Sequence, residues 1–259
     1  MSAVAVLVVV LGAYLLLAVA AWIASRWLIF PVPPLGYRHE DAPIRIATAD
    51  GAGLAALYLP VPDAPFTVLF SHGNAEDLGT ARAQLDTLRR VGLSVLAYDY
   101  RGYGLSTGRP TERGIYRDVE AAYTYLTGPL GVPPDRVILH GRSLGGGPSV
   151  YLAARRPAAG LILESTFVSA FRVVTRVPVL PLDRFRNLAR LRRLDLPVLV
   201  IHGTADIVVP FRQGRRLFGA ARGPRHRLWV EGAGHNDVRL AAGGRYEDAL
   251  RDFVDLLRP

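Results

Sequence analysis

Residues 136–147 read RVILHGRSLGGG, and the interpretation of this stretch decides the fold. Val137, Ile138 and Leu139 are apolar or β-branched and predict a buried strand. Gly141, Ser143 and Gly145 fit the pattern G-x-S-x-G. Val150, Tyr151, Leu152, Ala153 and Ala154 then predict a mostly buried helix. Strand, tight turn and helix together are the context that makes this pattern a nucleophile elbow. A serine on so strained a turn needs small residues two places before and after it, so that strand and helix can approach. Gly141 and Gly145 meet that need. The elbow exposes Ser143 at a helix N-terminus, whose N–H groups favour developing negative charge. G-x-S-x-G also arises by chance, and a glycine-rich turn before a helix can cradle phosphate. A Walker loop, however, requires Gly-Lys-Ser/Thr, and the sequence has no lysine.

Composition narrows the classes. The chain has 259 residues, 50% of them hydrophobic, enough for one large α/β domain. Its 31 basic residues are all arginine, against 22 acidic ones. Zinc-finger spacing and an Arg/aromatic RNA-binding signature are absent, so nucleic acid is not an expected partner. Without cysteine there is no disulfide framework, thiolate metal site or cysteine nucleophile. The histidines at 39, 72, 140, 202, 226 and 235 include no H-x-x-x-H pair. No metal or cofactor is expected.

A serine nucleophile needs a base, and the base needs an orienting acid. In this architecture they follow in the order Ser, acid, His, each just past a strand. Pro197 to Ile201 predicts a strand leading to Asp206, and Arg227 to Val230 one leading to His235. Ser143, Asp206 and His235 therefore form the candidate triad. Glu164, which also ends a strand, is the rival acid, and Asp206 could instead cap a helix or, with Pro210 nearby, serve a structural turn. The oxyanion hole needs two backbone N–H donors. Leu144, directly after the nucleophile, is one, and Asn74, after His72 and Gly73, is the second. His72 is expected to buttress that loop. Asp99 and Arg101 are expected to be a structural pair tying loops together.

The remaining strands are expected at Ile44–Thr48, Leu54–Leu59, Thr67–Ser71, Ser94–Tyr98 and Leu161–Leu163. Helices are expected at Leu78–Val91, Thr111–Leu126, Phe211–Ala221 and Tyr246–Leu257. Strands alternating with helices imply a mainly parallel sheet covered on both faces. Gly102 and Gly104 begin a dinucleotide fingerprint, but its third glycine is missing and Pro110 interrupts the helix it needs.

Ala3 to Ala24 is 22 residues without a charge, a length that suits a membrane-spanning helix. Trp22 and Trp27 stand where an aromatic belt would be. Ala18-Val19-Ala20 resembles a signal-peptide cleavage site, but no basic residue precedes the run, and the run is long for a signal. A retained anchor over residues 1–30 is the favoured reading. Arg26, Arg38 and Arg45 follow the span, which places the globular part in the cytoplasm by the positive-inside rule. Pro31, Pro33 and Pro34 form a stiff exit.

The stretches SHGNAEDLG (71–79), YDYRGYGLSTG (98–108), GRSLGGGPS (141–149), LESTF (163–167), HGTADIVVP (202–210) and GAGHND (232–237) carry a family resemblance. The chain resembles the α/β-hydrolase superfamily and, within it, the Bem46-like group and the serine hydrolases of the α/β-hydrolase domain-containing 13 and 17 types. The resemblance spans nearly all of the chain after about residue 65. It implies an α/β-hydrolase fold of about eight strands over residues 31–259; the cap-like insertion at 165–195 departs from it in being short. It also implies a Ser143–Asp206–His235 triad, Asn74 and Leu144 as oxyanion donors, and hydrolysis of acyl esters or thioesters. Membrane lipid is the expected partner of the N-terminal helix. Some members of the group are peptidases, and a catalytically silent binding protein of the same fold is the alternative from another class. The cap carries arginines at 172, 176, 184, 186, 190, 192 and 193 against aspartates at 183 and 195. They are either a solvated face or a contact with anionic headgroups.

Overall fold

The computed structural model describes residues 2–170 and 183–258, with residues 21–28 described by their helical backbone. Arg172 and Arg176 lie outside the described residues. Among those described, eight strands form one sheet: β1 (Ile44–Ala47), β2 (Gly53–Leu59), β3 (Thr67–Ser71), β4 (Ser94–Tyr98), β5 (Val137–Arg142), β6 (Gly160–Glu164), β7 (Val198–Gly203) and β8 (Arg225–Val230). Their order is β1-β2-β4-β3-β5-β6-β7-β8. β1 and β2 pair antiparallel, β2 joins β4 antiparallel, and the rest are parallel. The chain is an α/β hydrolase in fold.

Strands β3 to β7 are buried almost throughout, because helices cover both faces. Alternate residues divide between two cores. Val137, Leu139, Val198 and Val200 face one side, while Ile138, Leu199 and Ile201 face the other. On the first side pack α3 (Glu112–Thr127), α4 (Gly146–Ala153), α5 (Asn187–Leu191) and α6 (Arg212–Ala220). On the second pack α2 (Arg82–Arg90), α7 (Val238–Ala242) and α8 (Gly244–Leu257). The Thr111 hydroxyl caps α3 by accepting from the Gly114 N–H at 3.0 Å.

Helices α2 and α8 and strand β8 start two or more residues from where the periodicity predicts, α8 at Gly244 rather than Tyr246. Helix α2 begins at Arg82, not Leu78. The Asp77 carboxylate accepts from the Thr80 N–H at 2.9 Å while the Thr80 hydroxyl accepts from the Asp77 N–H at 2.8 Å, locking a turn there. Strand β8 gains Arg225 and His226, polar residues that an edge strand tolerates.

α1 (Ala3–Ile29) has a window, Ala3–Ala20, with mean hydropathy 2.9, and none of that window is buried. By length and composition it could cross a membrane. Its C-terminal end returns to the domain. Phe30 is 5% exposed and meets Phe185 edge-to-face at 6.2 Å.

The chain leaves β3 first toward β4 on one side and later returns to β5 on the other. The C-terminal ends of β3 and β5 thus flank a topological switch point, where open α/β sheets bind ligands.

Candidate active site

The site grows from that switch point. Ser143 follows β5 with φ 49°, a conformation that non-glycine residues rarely adopt. The turn can close because its flanking glycines lack Cβ. One on Gly141 would lie 2.3 Å from the Gly145 carbonyl oxygen, and one on Gly145 would lie 1.9 Å from that of Ser71. The Thr166 hydroxyl donates to the Ser143 carbonyl at 2.6 Å, which braces the turn from β6.

His235 Nε2 lies 3.0 Å from Ser143 Oγ, and His235 Nδ1 lies 2.7 Å from Asp206 Oδ2. The three sequence-predicted residues come together from loops after three strands. The Asp206 carboxylate also accepts from Val208 N–H at 2.9 Å and Val209 N–H at 2.7 Å, both through Oδ1. Asp206 caps no helix, since the N-cap of α6 is Phe211; it braces the turn before that helix through one oxygen and contacts His235 through the other. Burial alone would raise its pKa, but hydrogen bonds from His202 and His235 hold it well below the usual carboxylate range. His202 is a residue that sequence reasoning passed over. It is buried, its Nε2 donates to the Val209 carbonyl at 2.8 Å, and it lies 3.3 Å from Asp206 Oδ2.

The rival acid, Glu164, points elsewhere. Its Oε2 takes hydrogen bonds from Tyr246 at 2.7 Å and Gln84 at 3.0 Å, and lies 3.2 Å from His140 Nε2. Desolvation pushes its pKa up, and the His140 contact with nearby Arg142 brings it below the ordinary value.

The loop after β3 carries Asn74. The Gly73 N–H donates to Glu76 at 2.6 Å, and the Tyr103 hydroxyl donates to Asn74 Oδ1 at 2.9 Å. Ala75 takes φ 54°. The backbone N–H groups of Asn74 and Leu144 have no acceptor among the described residues. His72 buttresses the loop as expected: Nδ1 meets the Gly73 carbonyl at 2.8 Å, and its ring packs on Tyr100. Burial lowers its pKa to about 4.

Arg142, the variable residue of G-x-S-x-G, is a second residue that sequence reasoning missed. It pairs with Glu76, donates to Asn236 Oδ1 at 3.0 Å, and reaches the His235 carbonyl at 3.4 Å. One guanidinium so links the loops carrying Asn74 and His235 to the elbow. Arginine in a half-buried turn beside the nucleophile was the available signal.

Asp99 and Arg101 do not pair with each other. Tyr37 donates to Asp99, while Arg101 binds Asp118 at 2.8 Å and Asp50 at 2.9 Å. Both are structural, but each ties a different pair of segments, because the chain turns between them past the end of β4.

A cavity of about 340 Å³ opens on Ser143 and His235. Ile29, Leu144, Phe167, Ala170, Val208 and Val209 supply its apolar wall, and Asn74, Ala75, Arg142 and Asn236 complete the lining. None of these lining residues is acidic. A larger hollow of about 570 Å³ lies between β1 and α3, away from Ser143. The cap arginines are only partly free. Arg190 stacks on Tyr116 and donates to its hydroxyl at 2.9 Å, whereas Arg186, Arg192 and Arg193 are exposed.

Alpha/beta hydrolase domain-containing protein 17B of Homo sapiens is 43% identical to this chain over 211 residues, which cover 80% of this chain and 73% of that protein. The chain belongs to this family of α/β hydrolases. Protein 17C of Xenopus tropicalis is 40% identical over 215 residues, covering 81% of this chain and 68% of that protein. A family model described as serine aminopeptidase, S33, matches residues 63–185 of this α/β hydrolase. Among solved structures, the Pyrococcus furiosus esterase Pf2001 shares the fold with TM-score 0.71 and 19% identity, over 87% of this chain and 99% of that one. A Paleococcus ferrophilus monoacylglycerol lipase does so with TM-score 0.64 and 21% identity, over 79% and 99%.

Proposed function

We propose that this α/β hydrolase is a membrane-anchored serine hydrolase cleaving acyl esters or thioesters. The observation that carries the reading is the unbroken relay from Ser143 Oγ to His235 at 3.0 Å and from His235 to Asp206 at 2.7 Å. With Nδ1–H donated to Asp206, Nε2 of His235 is free to accept the serine proton. Ser143 Oγ attacks the acyl carbonyl as that proton passes to His235. The carbonyl oxygen becomes an oxyanion held by the N–H groups of Asn74 and Leu144. His235 then returns the proton to the departing alkoxide or thiolate, leaving acyl-Ser143. Water attacks this ester with His235 again as base, releasing the carboxylic acid and restoring Ser143. Asp206 remains ionised throughout, consistent with its depressed pKa.

The lining supports ester or thioester over aminopeptidase chemistry. An aminopeptidase must hold a free α-ammonium near the nucleophile, and among the described lining residues the only charged side chain is Arg142. In this reading residues 1–30 are the anchor, and residues 31–259 the hydrolase domain with its cap at 165–195. The arginines after the anchor support a cytoplasmic domain in this reading. The test is labelling by a fluorophosphonate probe together with hydrolysis of short acyl esters and thioesters. Wild-type protein should react by both measures and Ser143→Ala by neither. Cleavage of peptides alone would overturn the substrate class.

A further inference from the structure

The last turn of α1 is part of the pocket. Ile29 lines the same cavity as Ser143 and His235. Phe30, directly after it, is buried against Phe185. The following linker is also pinned: the Gly36 N–H donates to Asp77 at 2.6 Å, and Tyr37 donates to Asp99. The helix end therefore cannot swing away from the domain without breaking buried contacts.

Across the cavity mouth stands the loop that carries Asp206. Val208 lines the cavity, and Ile207 beside it is 87% exposed. This is no slack loop. The Asp206 carboxylate binds both Val208 and Val209 N–H groups, so Ile207 is held outward by a fixed turn. Val208 beside it is also exposed, at 49%, so two adjacent apolar side chains stand at the pocket rim.

Helix geometry sets the depth of this rim. The uncharged run of α1 ends at Ser25, four residues before Ile29, or about 6 Å along the axis. A headgroup layer is roughly 5–7 Å thick on each side of the hydrocarbon core. If α1 spans the bilayer, Ile29 and the pocket mouth lie at headgroup depth.

We propose that the pocket opens directly into the bilayer interface, with Ile29 as a wall of the acyl groove and Ile207 inserted into the lipid. An acyl substrate carried by the membrane then reaches Ser143 without crossing water. The proposal rests on the hydrolase reading for its substrate and on the helix–pocket geometry for its surface, and the two parts are tested separately.

The surface is tested with the full chain reconstituted in phosphatidylcholine vesicles. The sequence contains no cysteine, so Ile207→Cys accepts a single nitroxide label. Leu256→Cys is the comparison: it is exposed in the last turn of α8, whose next residue, Leu257, packs on Gly160 at the start of β6, the opposite end of the sheet. The label at 207 should collide with oxygen far more than with a water-soluble nickel complex, and the label at 256 should show the reverse. Equal behaviour at the two sites would overturn the membrane-facing entrance, whatever the enzyme hydrolyses. The groove is tested by the ratio of kcat/KM for dodecanoyl to acetyl esters. Ile29→Ala should lower that ratio about tenfold, the effect of losing one large apolar contact to the chain. An unchanged ratio would remove Ile29 from the groove. If wild-type protein cleaves no ester or thioester, the hydrolase reading falls while the labelling result still decides the entrance.

Discussion

Asp206→Asn separates the orienting role of this residue from its structural one. One carboxylate oxygen, Oδ1, accepts two backbone N–H groups, and the other, Oδ2, accepts His235 Nδ1–H. An asparagine has a single carbonyl oxygen. The two N–H donors of Val208 and Val209 hold it on their side, which turns the amide NH₂ toward His235. Two N–H groups cannot face each other, so the imidazole proton moves to Nε2. That nitrogen can then no longer take the proton of Ser143. Where such a change has been made in a triad enzyme, kcat falls about 10⁴-fold, on the order of 5 kcal/mol of lost transition-state stabilisation. Stability should fall far less, by roughly 1–3 kcal/mol, because the loop keeps its backbone bonds. The assay is kcat/KM on short acyl esters, with circular dichroism melting of both proteins. Glu164→Gln is the paired variant, since it disturbs the network with His140, Tyr246 and Gln84 but not His235. If Asp206→Asn keeps kcat/KM within tenfold of wild type, or Glu164→Gln costs more at equal folding, the assignment of the acid is wrong.

Other outcomes follow from the same geometry. Gly145→Ala should fail to accumulate as folded protein, because its Cβ would sit 1.9 Å from the Ser71 carbonyl oxygen; a normal melting curve would contradict the packing of the elbow. The full chain should resist carbonate extraction from membranes. A chain beginning at Ile29 should be soluble and melt several degrees above one beginning at Pro31, since loss of buried Phe30 costs about 3 kcal/mol; equal melting points would refute that contact. Burial raises the Asp99 pKa to about 7, from an ordinary value near 4. The folded state thus binds the extra proton, and this contribution to stability is full below pH ~4 and lost as pH rises through ~7. Urea titrations between pH 5 and 7 should show wild-type stability falling by up to about 1.4 kcal/mol per pH unit relative to Asp99→Asn. Parallel curves for the two proteins would contradict a buried protonated Asp99.

The elbow was legible in the sequence because its chemistry is local. Gly141, Ser143 and Gly145 sit within one turn, and the short β-branched run before them reads as a buried strand. The order of Ser143, Asp206 and His235 was legible for a related reason, since each ends a readable strand. Partners chosen by topology were not legible. Tyr37 reaches Asp99, and Gln84 and Tyr246 reach Glu164, across separations that no periodicity encodes. The pairing expected for Asp99 and Arg101 failed for that reason: sequence proximity was mistaken for contact. The role of Ile29 was hidden because it closes an apolar helix, where it reads as one more membrane residue. Arg190 could be read as a free headgroup contact only until Tyr116 was seen beneath it. The wider cap could not be read beyond its composition: Arg186, Arg190 and Arg193 recur at helical spacing, yet the helix there, α5, spans only Asn187–Leu191.

The most direct measurement is the site of covalent modification. Full-length protein treated with a fluorophosphonate, digested and analysed by mass spectrometry should carry one adduct, on Ser143, and Ser143→Ala should carry none. An adduct on another residue, or full labelling of Ser143→Ala, would contradict the account.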